Sequence, residues 1–391
     1  MNQNLSFDDT EIAFRGKTNA DLNRAYWLFR MINVNFLTKI GPPITIFALK
    51  IGLPIQSLIQ STIFRHFCGG ESIQDCEKTV NQLDAGGVGS ILDYSVEGEE
   101  DEEIFDATCE EIMKTIKRAD GDERIPFTVF KSTGLARFAL LEKTDTKQAL
   151  DTGKNAEFER IKSRIDRICG YAYDLNVRVM IDAEESWIQD TIDSLALEMM
   201  RRYNQENAIV FNTYQLYRND KLDSLKADHK IAKKEGFFLG AKLVRGAYME
   251  KERKRAEELN YPSPINKDKE STDRDYNDAL KFCLDNIANI SFIAGTHNEN
   301  SCRLLAELLD KDGIPHNHGH VFFSQLLGMS DNLSFNLAAS GYNVAKYVPY
   351  GPVKAVMPYL FRRAEENTSV AGQMSRELRL INAEKKRRKL D

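Results

Sequence analysis

Two adjacent arginines near the C-terminus carry the strongest chemical signal in this sequence. Read as a helix, YLFRRAEEN places Tyr359, Arg362, Arg363 and Glu366 on one stripe. At about 100° per residue that stripe is about 100° wide. Paired guanidiniums form a fork for a carboxylate or a phosphate. Glu366, four residues beyond Arg362, is spaced to hold it in place. A salt-bridged surface helix would carry the same charges, but the tyrosine within the stripe and its place after the last strand favour a binding role.

A second signal is the gathering of polar residues where short apolar runs stop. Such ends are Lys131, Asp182-Ala183-Glu184-Glu185, Asn212-Thr213-Tyr214-Gln215, Arg245-Gly246-Ala247-Tyr248, Thr296-His297-Asn298, Gln325 to Met329 and Tyr347 to Gly351. One such end could cap a helix. Seven together point to a shared pocket.

The elements that must position these groups follow a rhythm. Apolar or β-branched runs at 88–94, 127–131, 177–182, 209–213, 241–244, 290–294, 321–323 and 344–348 alternate with helical periodicity at 156–172, 190–204, 276–287 and 302–311. Strand–helix alternation implies parallel βαβ units. Eight of them is the count of a (β/α)₈ barrel, whose active sites sit at the strand C-terminal ends. A doubly wound open sheet is the alternative, and it would not require eight. Residues 1–85 read as an N-terminal helical segment and 86–391 as the barrel domain, closed by a C-terminal helix and the basic tail Lys385–Lys389.

Composition and missing motifs remove several classes. The 391 residues carry 53 basic and 59 acidic side chains, a net charge of −6, which argues against a nucleic-acid binder. Six scattered cysteines without C-x-x-C read as reduced thiols of a cytosolic protein. No P-loop, H-E-x-x-H or G-x-S-x-G is present, and Gly87-Val88-Gly89 precedes a strand where a dinucleotide fingerprint would follow one. His316, His318 and His320 could suggest a metal, yet they precede a strand, at the end that carries stability; no metal is expected. The N-terminus lacks the order of a signal peptide and is too acidic for a transit peptide. The apolar segment 41–63 is broken by Pro42, Pro43 and Pro54 and charged by Lys50. It reads as a packed helical pair or an interfacial patch, not a membrane span.

The motifs KLVRGAYMEKER (242–253), MIDAEES (180–186), FNTYQ (211–215), GTHN (295–298), QLLGM (325–329) and PYLFRRAEENTS (358–369) closely resemble the proline dehydrogenase family. The likeness covers about 90 to 369, in order across every strand. It implies a distorted TIM-like α/β barrel with bound FAD that oxidises L-proline to Δ1-pyrroline-5-carboxylate and passes electrons to membrane quinone. By this resemblance Arg362 and Arg363 clamp the substrate carboxylate, with Lys131 adding positive charge and Glu366 orienting the arginines. Tyr248, Leu326, Tyr347 and Tyr359 wall the ring. Lys242 sits by flavin N5, and Asp182 is the pocket carboxylate. Ala183, Asn212, Val244, Arg245, Gly246, Ala247, Thr296, His297 and Asn298 match FAD-binding positions. Lys242 and Asn212 are of the mitochondrial type; many bacterial members have Arg and Gln there.

Three rivals stay open at this point: hydroxyproline oxidation, a flavin-free barrel enzyme with a phosphate substrate, and a non-catalytic scaffold. No DNA-binding segment or aldehyde-dehydrogenase-sized domain is evident, which implies the monofunctional form, with a separate pyrroline-5-carboxylate dehydrogenase as pathway partner. The expected location is the cytoplasm, with peripheral contact at the inner face of the membrane.

Overall fold

The computed structural model describes residues 5–32, 56–96, 100–369 and 371–390, and only the backbone of 32, 364–369 and 371–375. Among the described residues, eight parallel strands close into a barrel in sequential order. They are β1 Gly89–Tyr94, β2 Phe127–Lys131, β3 Val179–Asp182, β4 Val210–Gln215, β5 Leu239–Val244, β6 Ile290–Gly295, β7 Val321–Leu326 and β8 Val344–Tyr350. The (β/α)₈ architecture expected from the alternation is therefore the one present. Before β1 the described chain is helical: α1 Thr10–Phe14, α2 Asn19–Ile32, a turn of helix from Gln56 that continues as a π-helix over Gln60–Phe64, and α3 Ile73–Asp84.

Local signals set the helix starts. Asp101 caps α4 (Glu102–Ala119) through Glu103 N, and the acidic first turn complements the helix dipole. The run EGEEDEE thus ends in a helix start; its residues 97–99 lie outside the described residues. Two helices, α5 Phe138–Asp145 and α6 Thr152–Asp174, lie between β2 and β3. Helix α7 (Ser186–Tyr203) follows β3 and α8 (Lys221–Glu235) follows β4. Two more, α9 Met249–Glu258 and α10 Lys269–Asp285, lie between β5 and β6. Helix α11 (Glu299–Lys311) follows β6, α12 (Asp331–Ala339) follows β7, and α13 (Met357–Ser369) and α14 (Ala371–Arg387) follow β8.

The chain divides into two compact units, Met1–Glu97 with Gln325–Asp391, and Gly98–Ser324. In the second, strand alternation sorts side chains by face. Phe127, Phe211 and Phe322 stack edge to face at the strand N-terminal ends, with Arg178 5.3 Å over both Phe127 and Phe322. Lys131, four residues beyond Phe127, lies on the same face of β2. One face of the sheet therefore runs from an aromatic floor to charged groups at the strand C-terminal ends.

In the first unit, Phe14, Leu22, Phe29, Phe67, Leu360 and Ile381 belong to one buried apolar cluster. The basic tail folds onto it. Arg388 donates to the carbonyls of Phe14 and Lys17, both at 2.7 Å, and pairs with Glu384 at 2.6 Å. It adds a second donor to the Phe14 carbonyl, which also accepts Lys17 N at 2.9 Å. Residues 41–55 of the apolar segment lie outside the described residues. No described helix is long and apolar enough to cross a membrane.

All six cysteines are free and buried. Burial lifts Cys109 to about 11 and Cys76 to about 12, so both stay protonated thiols. His316 bonds to Asp310 at 2.6 Å and His318 packs edge-on against His320, ahead of β7. Among the described residues no cluster could hold a metal ion.

Candidate active site

The Gly98–Ser324 unit holds a three-charge group built by strand register. Lys131 is paired with Asp182 across β2 and β3, and Thr213 with Lys242 across β4 and β5, so Lys131, Asp182 and Lys242 share a face. Asp182 forms an ion pair with Lys242 and a second with Lys131 at 3.5 Å. All three groups are largely buried. Burial opposes the charge on Asp182, but the two ammonium groups outweigh it and hold the carboxyl below its usual range. One carboxylate thus lies between two ammonium groups. Such a site favours negative charge that develops beside it.

Glu184 was not singled out by sequence reasoning, yet it braces this group. Its carboxylate accepts the amide of Thr133 at 3.0 Å and the Thr133 hydroxyl. Its amide donates to Gln189 at 2.7 Å, and its carbonyl accepts from Gln215 at 2.7 Å. The ends of β2, β3 and β4 are thereby tied together two residues from Lys131 and Asp182. Three acids in MIDAEES were the only hint, and nothing local says which one turns inward.

The predicted cofactor positions divide. Val244, Arg245, Gly246 and Ala247 run out of β5, and Ala183 follows β3. Arg245 donates to Asp273 and Thr296, both at 2.7 Å, and to Ser301 at 2.9 Å, and lies 4.3 Å over the ring of Tyr276. Its guanidinium therefore ties β5 to α10, the end of β6 and α11. Thr296 and His297 follow β6, and Asn298 caps α11 by accepting Ser301 N at 3.1 Å. Asn212 stands apart. Its amide donates to Asp193 of α7 at 2.9 Å and accepts Thr213 N at 2.9 Å, on the strand face opposite Lys242. The structure brings Lys131, Asp182 and Lys242 together and turns Asn212 toward the helix layer.

Gly246 has a reason of its own to be glycine. Its φ is +136°, and a Cβ there would lie 2.4 Å from the ring of Tyr217. The ring of Tyr217 alone is enough to require it. Gly246→Ala should therefore lose about 2 kcal/mol or more of stability. Thermal melts of the two proteins check this; an unchanged Tm would contradict the contact.

The other unit carries the predicted clamp. Helix α13 buries Tyr359 and Arg363 one turn apart, and the Arg363 guanidinium lies 5.2 Å over the Tyr359 ring. Arg362 is half-buried. Glu366 lies in the same helix, but its side chain is outside the described residues. Tyr347 is buried in β8 and Leu326 ends β7, on the strand face it shares with Phe322. Tyr248 follows Gly246 and Ala247 and precedes α9.

Residues 76–376 match the family model described as Proline dehydrogenase. The chain belongs to the proline dehydrogenase family. Membership makes it an oxidoreductase of proline catabolism. Proline dehydrogenase 1, mitochondrial, of Dictyostelium discoideum is 32% identical over 434 residues, covering 99% of this chain and 76% of that one. The carbapenem antibiotics biosynthesis protein CarD of Pectobacterium carotovorum subsp. carotovorum is 34% identical over 332 residues, 85% of each chain. Among solved structures, proline utilization A (PutA) from Bdellovibrio bacteriovorus, inactivated by N-propargylglycine, superposes with a TM-score of 0.71 at 20% identity. That likeness shows the fold; it covers 92% of this chain but only 38% of the longer PutA chain.

Proposed function

We propose that this chain oxidises L-proline to Δ1-pyrroline-5-carboxylate, with FAD as the hydride acceptor and a membrane quinone as the final electron acceptor. The observation that supports this most is the buried Arg363 guanidinium over the Tyr359 ring, on the helix after β8, in a chain of this family. Arg362 and Arg363 hold the substrate carboxylate as a fork, and Tyr248, Leu326, Tyr347 and Tyr359 enclose the ring and exclude water. Glu366 orients the arginines. The ring carbon beside the nitrogen loses a hydride, and the nitrogen loses its proton, as the C=N bond forms.

The donor set fits a flavin. The ammonium groups of Lys131 and Lys242, set about Asp182, suit a ring that gains electrons. Asn298 caps the N-terminus of α11, whose leading amides suit a phosphate. Bound there, FAD would supply the hydride acceptor. Val244, Arg245, Gly246, Ala247, Thr296, His297 and Asn298 are the residues proposed to hold it, with Ala183 beside them; Asn212 would act through backbone or through Asp193. Residues 86–391 form the catalytic domain in this reading. Exposed Trp27, Met31 and Leu58 support peripheral contact with the membrane.

Flavin loading tests the reading against a flavin-free phosphate enzyme. Purified protein titrated with FAD should quench flavin fluorescence to one equivalent. Protein that takes up no flavin would exclude the proposal.

A further inference from the structure

A lysine sits where a strand should carry an apolar residue. Lys346, in the middle of β8, is fully buried. A buried ammonium is costly unless its donors are all used. Those of Lys346 are: it donates to the carbonyls of Met329 at 2.6 Å and Leu326 at 3.1 Å and pairs with Asp331 at 2.8 Å.

These acceptors define one short segment. Leu326 ends β7, and Met329 N bonds back to the Leu326 carbonyl at 3.2 Å, closing a turn. Within it Gly328 has a φ of +78°, and Ser330 just beyond has +51°. The turn is held from several sides. His66 Nε2 bonds to the Gly328 carbonyl at 2.9 Å, and Glu377 of α14 accepts Ser330 N at 2.7 Å. Asp331 also pairs with Lys17 at 2.8 Å. Leu327 N donates to the Tyr347 carbonyl at 2.9 Å.

Lys346 and Tyr347 are consecutive, so they project from opposite faces of β8. One dipeptide thus offers a ring on one face and, on the other, the fastening of the turn that begins at Leu326. We propose that Lys346 is a positioning residue for the ring subsite. Its ammonium sets where Leu326 stands relative to Tyr347 and so sets the width available to a five-membered ring. The inference rests on the reading of Leu326 and Tyr347 as ring walls.

Lys346→Met removes all three interactions with little change of volume. KM for L-proline should rise about tenfold, while flavin reduction at saturating proline falls less than about threefold. Preference for proline over 4-hydroxyproline should relax by a similar factor as the wall loosens. Leu326→Ala should shift KM in the same direction, and the double variant should not exceed the larger single effect. A stability role alone would lower Tm and leave KM and preference unmoved, and that result would overturn the proposal. Additive effects of the two substitutions would overturn it as well.

Should the methionine variant fail to fold, Lys346→Arg keeps the charge beside Asp331 but brings a planar fork to carbonyls placed around an ammonium, and the same rise in KM is expected. Failure of both to fold would assign Lys346 to stability and end the proposal. Wild-type protein that proline does not reduce would overturn the ring-wall reading itself. Normal wild-type reduction with an unchanged Lys346→Met would overturn only the inference about Lys346.

Discussion

Arg363→Ala is expected to cut kcat/KM for L-proline about a thousandfold while flavin content stays near that of wild type. Arg363 is buried and stacked on Tyr359, so in the proposed clamp it would meet the carboxylate in low dielectric, where removing one partner of a charged hydrogen-bonded pair costs roughly 2–5 kcal/mol. About 4 kcal/mol corresponds to about a thousandfold. Arg363→Lys should recover only part of the loss, because an ammonium keeps the charge but not the fork. Steady-state kinetics beside flavin released on denaturation separate the two effects. Turnover within about threefold of wild type would remove Arg363 from the clamp.

The second large effect concerns Asp182. Asp182→Asn removes the carboxylate that pairs with both Lys131 and Lys242, and breaking a buried ion pair in this way costs about 3–5 kcal/mol. The pH dependence has a definite sign. The carboxyl of Asp182 is held below its usual range in the folded protein, so its stabilisation is present above the unfolded value of about 3.9 and is lost as pH falls through the folded value. The stability gap between wild type and Asp182→Asn should therefore be widest near neutral pH and close in acid. Denaturant melts at neutral and acidic pH read it. A gap that does not change with pH would mean that Asp182 is not the counter-ion. Lys242→Met, by contrast, leaves the balanced pair Asp182–Lys131. It should disturb folding less and slow flavin reduction about a hundredfold.

The frame of this fold is legible because a covered parallel sheet imposes long apolar runs. Phe127–Lys131 coincides with β2, and all eight strands lie where the runs lie. The differences sit at element ends and in short helices. The run at 321–323 stops short because Ser324 and Gln325 are polar, yet β7 continues to Leu326: Ser324 accepts Thr296 N at 3.0 Å and Gln325 accepts from Ser334 at 2.8 Å. The start of β3 moves from Val177 to Val179 because Val177 N closes the end of α6 on Ala172. Helices α5 and α9 add a second helix to the β2–β3 and β5–β6 connections, which strand–helix alternation does not require.

In the Gly98–Ser324 unit, residue order and the family resemblance pointed to Lys131, Asp182 and Lys242, which the structure brings together. The facing of Asn212 could not be read, since it depends on the register that pairs Thr213 with Lys242. Glu184 was equally hidden, because its partner Thr133 is 51 residues away in the chain. Lys346 did leave a trace: a lysine inside VAKYVPY is out of place in an apolar strand.

The central claim is tested by mixing the flavin-loaded protein with L-proline in the absence of oxygen and following the visible flavin absorbance. Loss of the yellow colour at a rate that saturates with proline is the expected result. Flavin that stays oxidised at every proline concentration would contradict the account.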